Sequence, residues 1–151
     1  MKLTLDAAAR LVDLALAKGL DMGLKPLTVA VLDAGGHLKA FKRGDAPGIL
    51  RPDLAIGKAW SALAMGCGTR TLAAIAEKSP GHINSLVTIA SGRIVPNPGG
   101  ILLFDNDGEV IGAIGVSGDT SDNDEAAAIH AVTAMGIKGD PGTGGPPAKT
   151  E

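Results

Sequence analysis

Aromatic residues, cysteine and long apolar runs are all scarce in this sequence. The 151 residues include two Phe, one Trp and no Tyr, so the core must be aliphatic and rich in alanine. Since Cys67 is the only cysteine, an internal disulfide is excluded, which fits a reducing cytoplasm. No apolar run reaches the length of a membrane span, and residues 1–4 lead straight into an amphipathic pattern rather than a signal-peptide core. We therefore expect a cytoplasmic protein without a membrane-spanning segment.

Several kinds of binding site are also missing from the sequence. Lys and Arg number 14 against 16 Asp and Glu, and these mixed charges form no basic stripe of the kind that binds nucleic acid. None of the three histidines stands at zinc-ligand spacing from another histidine or from the cysteine. There is no P-loop, dinucleotide-binding fingerprint or nucleophile elbow. We therefore expect neither nucleic-acid binding, nor a structural zinc site, nor a common nucleotide-binding fold.

Two stretches of the sequence have the pattern of a β-hairpin. In the first, an apolar run at residues 27–33 is followed by an Ala-Gly-Gly turn and by alternating polar and apolar residues at 37–42. In the second, an apolar run at residues 101–104 leads through an Asp-Gly turn into residues 109–116. Glycine supplies the positive φ that such turns need, so each turn predicts a hairpin locally.

Helical periodicity and capping residues predict helices around these hairpins. Apolar residues recur at helical spacing in residues 4–22 and 52–65. A shorter helix is predicted at residues 70–77. The last helix begins with an acidic first turn, for which Ser121 or Asp122 can be the N-cap.

The order of the elements predicts the fold class. Two separated hairpins among helices, without a βαβ rhythm, predict an α+β domain with an antiparallel sheet and helices packed on it. Residues 84–90 fit either a strand or a helical turn. Residues 1–137 are expected to form a single domain. Residues 138–151 are mainly Gly, Pro and small or charged types, which predicts a disordered tail.

Three residues in the first half of the chain are candidates for binding an anionic ligand. Lys58 follows a glycine within a predicted helix, so its ammonium group can reach a ligand. The alternative is an ordinary solvated lysine. Arg43 and Asp45 flank a glycine at a strand end, where they can hold a carboxylate or form a local ion pair.

A glycine pair and an acidic segment extend this candidate site. Gly99 and Gly100 follow a proline and can expose backbone N–H groups to an anion or an oxyanion, unless they form a simple bend. Residues 117–124 read SGDTSDND, which is rich in Ser and Asp but lacks the spacing of a calcium-binding loop. Capping of the last helix accounts for this segment, and its positive N-terminal end also suits an anionic ligand.

The three histidines differ in the roles that the sequence allows them. His37 lies at the first hairpin turn, where we expect it to be exposed and available as a haem or metal ligand. The alternative for this residue is an ordinary turn position. His130 lies among alanine and isoleucine residues of the last helix, which indicates packing, and His82 lies on a Pro-Gly loop that favours no role.

Several short motifs occur along the chain in a fixed order. They are VLDAGGHL at residues 31–38, the pair Arg43 and Asp45, AIGKA at residues 55–59, PGG at residues 98–100, and GAIGVSG at residues 112–118 with Asp124 and Glu125. Taken together, this set resembles the GlcG/HbpS family, which also includes the C-terminal domain of the cobalamin adenosyltransferase PduO. The resemblance covers about residues 3–136.

The resemblance implies both a fold and a range of ligands. The fold is an antiparallel sheet of about five strands with helices against it, profilin-like in outline, and members assemble into homo-oligomers. Some members bind haem, and the family is often labelled haem-degrading. In the haem-binding members a histidine of the N-terminal helix region takes part in ligation, whereas residues 1–36 here contain no histidine, which counts against haem. The family commonly continues Gly-Gly-Xaa-Pro-Ile, where this chain has Ile101-Leu102-Leu103, so the pocket rim is expected to differ.

Two classes of function follow from these observations. The first is a small-molecule-binding protein of the GlcG/HbpS type, whose ligand is haem or a related carboxylate-bearing molecule. The alternative is a catabolic isomerase, hydratase or lyase, in which Lys58 or Arg43 holds a small organic acid. The Gly99–Gly100 amides would then stabilise an enolate-like oxygen, and Asp45 or Asp124 would move a proton. The predicted ligand-binding residues are Arg43, Asp45, Lys58, Gly99, Gly100, Ser117, Asp124 and Glu125.

Overall fold

A computed structural model describes residues 2–143, which contain five helices and five strands. The elements are α1 Leu5–Asp21, β1 Thr28–Asp33, β2 Leu38–Arg43, α2 Arg51–Met65, α3 Thr69–Lys78, α4 Pro80–Ile89, β3 Gly100–Phe104, β4 Val110–Ser117, α5 Ser121–Ala134 and β5 Lys138–Asp140. The ambiguous stretch at residues 84–90 is therefore mostly helix, because it continues a helix that begins at a proline.

The five strands form one antiparallel sheet in the order β2-β1-β4-β3-β5. Each predicted hairpin is present, and the two meet at the centre of the sheet, where β1 pairs with β4 from Thr28↔Ser117 to Asp33↔Gly112. The predicted α+β class, with an antiparallel sheet of five strands and helices packed on it, is confirmed.

The two hairpin turns are closed in the same way. Asp33 Oδ1 accepts hydrogen bonds from two amides of its turn, at 2.9 and 3.0 Å. Asp105 Oδ1 does the same in the second turn, at 2.9 and 3.0 Å. An aspartate that bonds its own downstream amides mimics a backbone turn, so both hairpins are set by local sequence.

Helices cover both faces of the sheet. On one face, α1 and α5 pack on alternate residues of β1 such as Val29 and Val31. On the other face, α2 packs on Leu32 and its neighbours through alanines. The backbone of α2 lies directly on β4, because a Cβ at Gly115 would collide with the carbonyl oxygen of Ala55. No helix within residues 2–143 is long and apolar enough to cross a membrane.

The end of the described chain departs from the prediction. Residues 138–140 form strand β5, which pairs with β3, and residues 141–143 run on to the start of α3. Asp140 accepts a hydrogen bond from Gly68 N at 3.3 Å, and Arg70 N donates to the carbonyl oxygen of Pro141 at 3.2 Å. The predicted disordered tail was therefore wrong for residues 138–143, which are held by strand pairing and by hydrogen bonds to Asp140 and Thr71. Its remainder, residues 144–151, lies outside the described residues.

Candidate functional site

Lys58 lies on α2, and its side chain is buried between this helix, β4 and α5. Its side chain is 3% exposed, and Nζ donates to the carbonyl oxygen of Val116 at 2.8 Å and to Asp124 Oδ2 at 3.2 Å. Desolvation by this burial lowers the pKa of Lys58, and the carboxylate of Asp124 opposes that shift. The alternative of a solvated helix lysine is therefore wrong. The ammonium bonds to the protein itself.

Asp124 holds the connection between β4 and α5 together. Besides Lys58, it accepts hydrogen bonds from Gly118 N at 3.3 Å and from Asp119 N at 2.8 Å. The N-cap of α5 is Thr120, whose hydroxyl accepts from Asn123 N at 3.3 Å, so the prediction of Ser121 or Asp122 in that role was wrong. Within residues 2–143, no group of three or more metal-binding side chains is present.

The glycine pair before β3 is also buried. Gly100 N donates to Thr69 Oγ1 at 2.8 Å, and the carbonyl oxygen of Gly99 accepts from Val116 N at 3.0 Å. Gly99 has φ +121, and a Cβ there would lie 3.0 Å from Lys58 Nζ. The amide of Gly100 is therefore bonded within the protein rather than exposed to a ligand, and the missing side chain of Gly99 makes room for Lys58.

Glu125 and Ser117 are each engaged by an arginine. Arg70 Nε lies 3.1 and 3.0 Å from the two carboxylate oxygens of Glu125, and Arg70 also contacts Asp122. The hydrogen bonds to Glu125, which have the largest effect, and to Asp122 raise the pKa of Arg70. Arg51 donates to Ser117 Oγ at 3.2 Å. Neither arginine could be assigned this role from the sequence, because the partners lie 66 and 55 residues away on β4 and α5.

The predicted site residues fall into two groups. The structure brings together Lys58, Gly99, Gly100, Ser117, Asp124 and Glu125, all of them buried. Arg43 and Asp45 are exposed at the end of β2. Asp45 borders a groove of about 270 Å³ beside the end of α1, whose lining includes four leucines. Their role in ligand binding stays a prediction.

His37 presents an exposed imidazole, as the sequence analysis expected. Its side chain is 81% exposed, and Nδ1 lies 3.3 Å from Asp33 Oδ1. The tautomer in which Nδ1 donates to this carboxylate leaves the lone pair of Nε2 free for a ligand. The hydrogen bond from the backbone of His37 makes the largest contribution to lowering the pKa of Asp33, and the one from Gly35 adds to it. Asp33 therefore stays ionised at neutral pH.

A groove of about 360 Å³ runs beside this imidazole. Its walls are apolar at Val110 and Ile111, and Lys2 and Lys39 contribute ammonium groups. The other two histidines, His82 and His130, are also exposed, so the expectation that His130 packs inside the protein was wrong. It lies on the outer side of α5, whose inner side is lined by alanines.

These elements form a small α+β domain with one antiparallel sheet and an exposed imidazole at its first hairpin turn. The family model of the haem degrading protein HbpS-like family matches residues 3–133, so the chain belongs to the HbpS-like family. The resemblance noted in the sequence motifs is thereby confirmed.

The similar proteins include curated sequences and a haem complex. An uncharacterised 15.0 kDa protein from the dhaT–dhaS intergenic region of Citrobacter freundii is 32% identical over 131 residues, 86% of this chain and 89% of that protein. The corrinoid adenosyltransferase PduO of Salmonella typhimurium is 31% identical over 113 residues, 74% of this chain but 33% of PduO. The crystal structure of a PduOC–haem complex superposes with a TM-score of 0.84 at 26% identity, covering 95% of this chain and 100% of that one.

Proposed function

We propose that this protein binds haem, or a related planar ligand bearing carboxylates, in the groove beside His37. The observation that carries the proposal is the Asp33–His37 pair. Histidines that ligate metals almost always donate their second ring N–H to a carboxylate or carbonyl, which orients the ring and raises its basicity. His37 has this arrangement, with Nδ1 on Asp33 and an 81% exposed side chain.

The rest of the groove suits a haem-like molecule. A porphyrin edge needs apolar contacts, which Val110 and Ile111 offer, and its propionates need cations, which Lys2 and Lys39 offer. When bound, haem would supply an iron centre whose reactivity depends on its axial ligand and on the polarity around it. The chain's part is to provide His37 as the ligand, with Asp33 keeping its ring oriented.

The relatives support this proposal. The PduOC structure that superposes on this chain is a haem complex, and the matching family model is described as haem-degrading. Residues 1–36 lack the histidine expected from the haem-binding relatives, so we place the iron ligand on His37, the first histidine of the chain. Of the groups named for the enzyme alternative, Lys58 pairs with Asp124 and Gly100 N bonds to Thr69, which leaves Arg43 and Asp45 at the end of β2 for that alternative.

The test is a titration of purified protein with haemin, followed by the Soret band. The wild type is expected to give a saturable shift. His37→Ala should abolish this shift, and Asp33→Asn should weaken binding by about tenfold or more, as loss of an outer hydrogen bond to a ligand does. His82→Ala is the matched control, because His82 is an exposed histidine on helix α4, away from the hairpin turn that carries His37. An unchanged affinity in His37→Ala would show that the ligand is wrongly assigned.

A further inference from the structure

A second groove, of about 410 Å³, lies between α2 and residues 91–95. It shares no lining residue with the groove at His37, and its volume lies in the range of small-molecule pockets. Its walls are mostly apolar and include Leu50, Leu54 and Val95. Arg93 and Asp53 bring opposite charges to it.

The wall formed by residues 93–95 is fixed to α2. Val95 N donates to Ser61 Oγ at 2.8 Å, and that hydroxyl donates to the carbonyl oxygen of Gly57 at 2.6 Å. The absence of a side chain at Gly57 lets Val95 approach, because a Cβ there would lie 2.6 Å from Val95 Cγ2. The groove is thus formed before any ligand arrives, which reduces the entropy that binding must overcome.

Arg93 is oriented in the groove by two contacts. Its guanidinium lies 4.0 Å from the ring centroid of Trp60, and Nε donates to the carbonyl oxygen of Ala90 at 3.0 Å. Stacking and the Nε bond leave the terminal nitrogens as a planar pair of donors. Among residues 2–143, no carboxylate forms an ion pair with this guanidinium. Arginine held flat in this way matches a carboxylate with two parallel hydrogen bonds.

We infer that this groove binds a small monocarboxylate with an apolar body, its carboxylate on Arg93 and its body against Leu50, Leu54 and Val95. Asp53 limits the ligand to one negative charge, because a second carboxylate in the groove would meet this acidic side chain. The site lies outside the one proposed for haem, and neither proposal depends on the other.

Trp60 makes the inference directly testable, because it is the only tryptophan and it stacks on Arg93. Benzoate and hexanoate should each change its fluorescence saturably. Benzyl alcohol, which has no charge, should bind about tenfold or more weakly, because it cannot form the charge-assisted hydrogen bonds to Arg93. Phthalate, which has two charges, should also bind more weakly than benzoate, because its second carboxylate meets Asp53. Equal binding of benzyl alcohol and benzoate would overturn the assignment, as would the lack of a saturable change with both acids.

Variants separate this site from a non-specific effect and from haem binding. Arg93→Lys keeps the charge but loses the planar fork, so benzoate affinity should fall by about tenfold. Arg10→Lys, at an exposed arginine of α1, is the matched control and should bind benzoate normally. Far-ultraviolet circular dichroism checks that both variants fold.

Benzoate binding should survive His37→Ala, and haemin binding should survive Arg93→Lys. If benzoate displaces haemin, the two ligands share a site and this inference fails.

Discussion

Replacing Asp124 with asparagine should lower the free energy of unfolding, because Lys58 then stays buried without a compensating negative charge. In the folded protein Lys58 is 3% and Asp124 1% exposed, so neither charge is solvated by water. Asp124→Asn keeps the size of the side chain and one oxygen acceptor, but it removes the negative charge that compensates the ammonium. The ammonium of Lys58 then faces neutral oxygen acceptors, such as the carbonyl oxygen of Val116, in place of the carboxylate.

The expected loss of stability is large. Removing one partner of a buried ion pair costs about 3–5 kcal/mol, because the other charge stays buried without compensation. For a domain of this size, each kcal/mol corresponds to about 2–4 °C in Tm, so Asp124→Asn should lower Tm by about 6–20 °C. Asp122→Asn is the matched control, since it lies in the same helical turn with its side chain 72% exposed. An exposed pair contributes about 1 kcal/mol or less.

The pH dependence of this variant has a definite sign. Burial lowers the pKa of Lys58 in the folded state, and losing Asp124 lowers it further. Between that lowered pKa and the ordinary lysine value of about 10.4, the unfolded chain binds more protons than the folded chain. The free energy of unfolding therefore rises with pH in this window.

Thermal unfolding of the wild type, Asp124→Asn and Asp122→Asn at several pH values measures both effects. Asp124→Asn should regain part of its lost stability from pH 7 towards pH 10, relative to the control. A Tm close to that of Asp122→Asn at neutral pH would refute the reasoning, and so would a loss of relative stability as the pH rises.

Two further predictions concern the end of the chain and its assembly. Truncation after Ile137 removes β5 and the Asp140 contact with Gly68, so the loss of these hydrogen bonds should lower stability by about 1–2 kcal/mol in urea unfolding. Unchanged stability would show that β5 is dispensable. The protein is also predicted to form a homo-oligomer, because members of the resembled family assemble and the edge strands of the sheet need protection. Light scattering at micromolar concentration measures the mass, and that of a single chain would contradict this prediction.

Most of the fold was predictable because its signals are local. Each hairpin turn contains its own aspartate and glycine, so turn chemistry alone located two pairs of strands. Strand β5 could not be found in this way, since Lys138–Asp140 is short, contains a glycine and is ordered by pairing with β3. The composition of residues 138–140 indicates their low apolar content, but it carries no information about backbone hydrogen bonds to a distant strand.

The sequence was sufficient to predict which residues of the candidate site lie close together, but not which of them are buried and paired. Motif order brought Lys58, Gly99 and Asp124 into one prediction, and the structure places them together. Sequence spacing could not show that the lysine points into the protein, because its partner is 66 residues away. The pairing of His37 with Asp33 lies within one turn and could have been noticed, since an aspartate four residues earlier is within reach in a hairpin.

The central pairing of β1 with β4 has a consequence for how the protein folds. Each hairpin has a short turn and can form alone within microseconds. The pairing of β1 with β4 is expected to form later, because α2, α3 and α4 lie between these strands along the chain. Closing so long a loop costs entropy before any contact is gained. Until then, β1 and β4 each present an unpaired apolar edge. The slowest step of folding is therefore expected to be the one during which a newly made chain is most exposed to self-association.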